Sequence, residues 1–105
     1  MRWLLTVLWV SANVQTGEHE NFTRVVVTIP VDAAWQLGRN DNGYLLRVPG
    51  VNEYNLGGFF DLIPRDRIVD VQNASAGSEL QFFLDCECYA DAFLEGTRVL
   101  VLDFR

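Results

Sequence analysis

No segment of this chain holds a helical period for long. Its apolar residues come in short runs, and turn chemistry cuts off each run. The stretch "FTRVVVTI" (22–29) is rich in β-branched residues, which suit a pleated half-buried surface, and it stops at Pro30, which has no N–H to give a ladder. "AWQLG" (34–38) is a short apolar piece, and "RNDNG" (39–43) ends in the Asn-Gly pair that marks hairpins. "YLLRV" (44–48) is closed by Pro49-Gly50, "RIVDVQ" (67–72) alternates, and "NASAGS" (73–78) is a turn. "ELQFFLD" (79–85), "CYADAFLE" (88–95) and "TRVLVLDF" (97–104) are the remaining strands. "LGGFFDLI" (56–63) carries two glycines and an apolar clump, and reads as a loop or one short helical turn near 57–63. The pattern predicts an all-β fold, a small sandwich or twisted sheet.

A weak internal echo sharpens that expectation. The layouts "FTRVVVTI…AWQL…GYLLRV" and "SELQFFLD…ADAF…GTRVLVLDF" match: long strand, short strand with aromatics, turn ending in glycine, second long strand. Two such halves facing each other would make a sandwich of two roughly three-stranded sheets. Strand parity assigns Val25, Val27, Ile29, Leu46, Val48, Leu80, Phe82 and Leu84 to the core, and leaves Arg24 and Arg47 on outer faces.

At 105 residues the chain is one domain, half of it hydrophobic, with enough length to bury a core. The formal net charge is -6, and all eight basic residues are arginine. Such a chain is a poor binder of nucleic acid or anionic membranes, where cationic charge supplies the affinity. Residues 1–12, "MRWLLTVLWVSA", read either as a very short signal peptide cleaved after Ala12 or as a first strand with Trp3, Leu5, Val7 and Trp9 on one face. Their apolar run is too short to span a membrane. Residues 13–105 then form the single β domain.

The order "VQTGEHENFTRVVVTIP", "GYLLRVPGV", "IPRDRIVDVQ", "LQFFLDC" and "TRVLVLDF" resembles the AMIN domain over about residues 10–105. That family's outline is a short first strand, a loop, an Arg-Val-Val strand, a strand ending near Pro-Gly, an Ile-x-x-Ile-Arg type segment and two closing strands. One position departs from it: where the family carries an aspartate before Pro-Gly, this chain has Arg47 and Val48. The resemblance implies a β-sandwich of a periplasmic or otherwise exported envelope protein, acting as a non-catalytic targeting module that binds peptidoglycan or another cell-wall glycan. It also implies the N-terminal part of a larger cell-envelope protein. The other expectation is a protein–protein interaction module that meets an envelope protein through a sheet edge or an apolar outer face.

The residues themselves point away from catalysis and from cofactors. His19 is the only histidine. It lies between Glu18 and Glu20 without the spacing of a zinc site, so it reads as part of a solvated loop delivering the next strand. No nucleophile elbow or phosphate loop occurs. Cys86 and Cys88 share strand parity with Leu80, Phe82 and Leu84. They read as buried core thiols, as a local disulfide that requires a bend in the strand, or as a redox or metal pair. "NFT" (21–23) and "NAS" (73–75) match the glycosylation sequon. The candidate ligand contacts are Arg24, Arg47, Arg65 and Arg67. In a chain this acidic, a carboxylate-bearing glycan or peptide needs a local positive site, and guanidinium meets carboxylate as a planar fork. On this reading Arg24 and Arg47 lie on neighbouring strands and form one rigid fork.

Overall fold

A computed structural model describes residues 11–74 and 77–105. The described residues are all β, with nine strands: β1 (Ser11–Glu18), β2 (Thr23–Thr28), β3 (Gln36–Asn40), β4 (Gly43–Arg47), β5 (Glu53–Asn55), β6 (Ile68–Asn73), β7 (Glu79–Leu84), β8 (Ala90–Glu95) and β9 (Val99–Phe104). They form a five-stranded sheet in the order β5-β1-β2-β9-β8 and a four-stranded sheet in the order β3-β4-β7-β6. All pairings are antiparallel except β1 with β5, where Ser11–Asn13 run parallel to Glu53–Asn55. The expected cleavage point falls inside this strand: Ala12 is buried and sits opposite Tyr54. The alternatives of leader peptide and first strand concern residues 1–12, of which 1–10 lie outside the described residues.

The two similar halves exist, but neither makes a sheet by itself. The β3–β4 hairpin is joined by β7, and the β8–β9 hairpin by β2. Each half lends its leading strand to the hairpin of the other. With β1 beside β2 and β6 beside β7, the series β1-β2-β9-β8 and β6-β7-β4-β3 have the same layout. The expected sandwich of two facing sheets is present, with five and four strands in place of about three each, and the exchange alters which strands each half contributes.

The core lies between the sheets. Val25, Val27, Ile29, Leu46, Val48, Leu80 and Phe82 are almost wholly buried, and Leu84 at the end of β7 is half-buried. Each such side chain contributes on the order of 1.5–3 kcal/mol on leaving water. Phe82 and Phe104 meet at 5.0 Å between ring centroids, and Tyr44 stands edge-on to Phe104 at 6.0 Å, so aromatics from both sheets interlock. Gly43 allows this contact. Its φ of 147° belongs to glycine, and a Cβ there would lie 2.4 Å from the carbonyl oxygen of Phe82.

Residues 56–63 form no helical turn. Two tight turns, Phe59 N–H to Leu56 C=O and Asp61 N–H to Gly58 C=O, place Phe59 under Phe82, where its carbonyl accepts a hydrogen bond from Thr16 Oγ1 at 2.8 Å. The segment therefore plugs the gap between β1 and the four-stranded sheet and does not fold over an outer face. The same side is stapled by Asn73. Its amide accepts from Tyr54 N–H at 2.8 Å and donates to Tyr54 C=O at 3.0 Å, so the second sequon's asparagine acts as a ladder partner for β5. The Tyr54 hydroxyl donates to Ser78 C=O at 2.8 Å, and burial pushes its phenol well above the ordinary range.

Among the described residues no helix is long and apolar enough to cross a membrane.

Candidate functional site

The four expected arginines do not meet. β2 lies in the five-stranded sheet and β4 in the four-stranded one. Arg24 and Arg47 both alternate with core residues, so they stand on opposite outer faces of the sandwich, and no shared fork exists. Parity set each facing correctly, but it carries no information on which sheet a strand joins.

Arg24 is held within the protein. It makes a two-pronged pair with Asp103, Nε to Oδ1 at 2.8 Å and Nη2 to Oδ2 at 2.9 Å. Asp103 is its cross-strand neighbour on β9 and is only 4% exposed. The hydrogen bond to Arg24 holds the Asp103 carboxyl below the usual carboxylate range, helped by the nearby charges of Arg24 and Arg105, while burial opposes the shift. The same guanidinium lies over the rings of Phe22 and Phe93, at 5.3 and 6.0 Å from their centroids. Arg67 donates to Glu18 Oε2 at 3.0 Å and reaches Thr23 Oγ1 and Glu20 C=O at 3.4 Å, which fixes the β1–β2 turn. His19 lies in that turn, its N–H bonded to Phe22 C=O and its ring stacked on Phe22 at 4.4 Å. Arg65 lies over Phe60, 3.8 Å from the ring centroid, and donates to Val69 C=O at 2.9 Å.

Arg47 differs from these three. It is exposed, and among the described residues its guanidinium has neither a hydrogen bond nor an ion pair. It opens onto a shallow trough of ≈ 530 Å³ on the outer face of the four-stranded sheet. The register explains the trough. One cross-strand row is Gln36–Arg47–Glu79, and the next is Gly38–Leu45–Gln81–Gln72. Gly38 has no side chain, and a Cβ there would meet nothing within 4 Å, so the outer surface of β3 is bare beside the half-buried Leu45. Glu79 and Asn40 also line the trough; Asn40 Nδ2 donates to Gln81 Oε1 at 2.7 Å, and Gln81 Nε2 returns a bond to Asn40 Oδ1 at 3.2 Å.

Sequence reasoning placed Arg47 outward but missed Gly38, Asn40 and Gln81 as its neighbours. It read residues 39–43 as turn, whereas β3 runs on to Asn40 and only Asp41 and Asn42 turn. The alternation "QLGRN" was the available signal: Gln36, Gly38 and Asn40 share the outer face, while Leu37 and Arg39 point to the other side. There Arg39 donates to Tyr44 Oη at 2.9 Å and to Cys88 C=O.

The cysteines are joined. The chain bends after Leu84 at residues 85–87, and a disulfide links Cys86 and Cys88 with their Cα atoms 5.2 Å apart. Cys88 is buried and Cys86 half-buried, so the bridge braces the corner between β7 and β8. Among the described residues no three histidine, cysteine or acidic side chains cluster as metal ligands would. Compared with family models, with curated proteins and with solved structures, the chain matches none.

Proposed function

We propose that this protein is a non-catalytic binding module of the cell envelope, AMIN-like in role, which docks peptidoglycan or another cell-wall glycan on the outer face of its four-stranded sheet. The observation that carries the reading is the open trough beside an unpaired Arg47. A bare strand surface at Gly38 and the apolar Leu45 offer a floor for a sugar ring. The amide of Gln36 offers a donor and an acceptor to hydroxyl and acylamino groups, while Asn40, whose amide is tied to Gln81, bounds the trough. Arg47 offers a two-pronged donor to a carboxylate, of the kind that peptidoglycan's peptide stems carry. A glycan ligand places the module outside the cytoplasm, in the periplasm or an equivalent exported location.

The other titratable groups support a binding role over a catalytic one. Asp103 is tied to Arg24, His19 lies stacked in a turn, and the disulfide occupies both cysteines.

Co-sedimentation with purified sacculi tests the reading. The wild-type chain should pellet with the sacculi, and Gly38→Phe, which fills the trough with a ring, should remain in the supernatant while keeping its melting temperature. If Gly38→Phe pellets as the wild type does, the trough is not the binding surface. If the wild type does not pellet at all, the glycan reading falls and the interaction-module reading takes its place.

A further inference from the structure

The edge strand β8 is built to pair with another strand, and the spacing of its charges selects the partner. β8 closes the five-stranded sheet and pairs only with β9 among the described residues. Tyr89 and Arg105 exchange both backbone hydrogen bonds, at 2.7 and 2.9 Å. From there the antiparallel ladder alternates without a bulge, so Asp91, Phe93 and Glu95 bond to β9, while Ala90, Ala92 and Leu94 point their N–H and C=O groups away from it. The preceding outward carbonyl, that of Cys88, is capped by Arg39. Beyond it no proline or bulge guards the edge, and its charged side chains are Asp91, paired with Arg105, and Glu95. Among the described residues, three of the five exposed large hydrophobic side chains lie here: Tyr89 at 69%, Phe93 at 43% and Leu94 at 39% exposure. Leu94 faces inward by parity, yet it is left partly uncovered at the end of the sheet.

We infer that β8 pairs with β8 of a second copy of this chain, antiparallel about a two-fold axis at Ala92, so that the two five-stranded sheets become one continuous sheet. Charge and overlap together favour this register, which is centred on β8. With Ala92 opposite itself, Asp91 faces Phe93 of the second copy and Glu95 faces Tyr89 of the second copy. The small Ala90 receives Leu94 on the inner face. A shift to a two-fold axis at Asp91 sets Asp91 against Asp91, and a shift to Phe93 sets Asp91 against Glu95. Like charges placed directly opposite are destabilising. The central register therefore removes every acid–acid opposition and covers all three exposed apolar side chains. This contact lies on the five-stranded sheet and is independent of the trough and of the glycan reading.

Sedimentation equilibrium over about 1 µM to 1 mM, the range a small interface of this kind spans, tests the pairing. The wild type should pass from monomer to dimer with rising concentration. Phe93→Asp sets an acid against Asp91 across the axis, twice per dimer, and should weaken association by about tenfold or more. Phe93→Arg sets a guanidinium there and should hold or tighten it. Phe93 is exposed on an outer face and meets Arg24 only at 6.0 Å, so both variants should keep the wild-type circular dichroism and melting, and the Arg24–Asp103 pair should hold in each. A wild type that stays monomeric throughout overturns the proposal. So does a pair of variants that behave alike, since in this register residue 93 faces an acid and the sign of its charge matters.

Discussion

The two outer faces of the sandwich have the same strand layout and opposite finishes. On the five-stranded sheet, the charge at the second strand is spent internally: Arg24 grips a buried Asp103 and lies between Phe22 and Phe93. On the four-stranded sheet, Arg47 projects unpaired beside a glycine-bared strand. An outward arginine is thus no evidence of a site by itself. What separates the two is the cross-strand neighbour. An aspartate opposite and buried makes the arginine structural. The neutral Gln36 on one side and Glu79 on the other, which forms no ion pair with it, leave it free.

The largest expected effect lies beneath the open face. Gly43→Ala forces a Cβ into the Phe82 carbonyl and a backbone region that alanine avoids, and should cost about 2–3 kcal/mol. For a domain of this size that lowers the melting temperature on the order of 10 °C or more. A variant melting within a degree or two of the wild type would show that β4 and β7 can separate without loss, and that the floor of the trough is not rigid.

A smaller effect distinguishes the closed face. Arg24→Gln strands the Asp103 carboxylate and should lower the melting temperature by several degrees at neutral pH. The acid limb of the stability profile should change with it. Asp103 has a lowered pKa in the folded protein, so its contribution is complete above the ordinary carboxylate value of about 3.9 and is lost as pH falls through the folded value. In Arg24→Gln that acid loss should shrink. An unchanged acid limb would mean that other carboxylates control it.

The smallest effect on stability belongs to Arg47→Gln. Melting should be the same as wild type to within about a degree, since surface substitutions away from structural contacts lie within roughly 0.5 kcal/mol. Sacculus binding should nonetheless weaken, and Arg47→Lys should restore little of it if two-pronged recognition matters. A loss of stability equal to that of Arg24→Gln would erase the contrast between the faces.

Much of the fold was legible because a strand's facing is a local property. Val25, Val27, Ile29, Leu46, Val48, Leu80 and Phe82 were assigned inward by period-two alternation alone, and all seven are buried. Partnership is not local. Nothing in "FTRVVVTI" says that it meets residues 99–104 and not residues 43–47, and the Arg24–Asp103 pair spans a separation of 79 positions. The candidate site suffered from both limits. Arg47 was found by parity, but the trough needed the β3–β4–β7 register, and its floor is marked by a side chain that is missing, at Gly38. The parallel contact of β1 with β5 and the placing of residues 56–63 between the sheets left no periodic trace at all.

The exchange of leading strands between the halves also dictates when this protein can fold. β2, at residues 23–28, is synthesised early but has its inner neighbour at residues 99–104. Until that stretch has been made, β2 has only β1 to lean on, and a two-stranded ribbon is marginal in water. The β3–β4 hairpin likewise waits for β7. Neither half can be completed and set aside while the other is made, so β2 lacks its inner neighbour until residues 99–104 have been made. Long-range closures of this kind slow the search for the native state. They expose that strand to whatever handles the chain before it folds, and they make a truncation at the far end as damaging to the first strands as to the last.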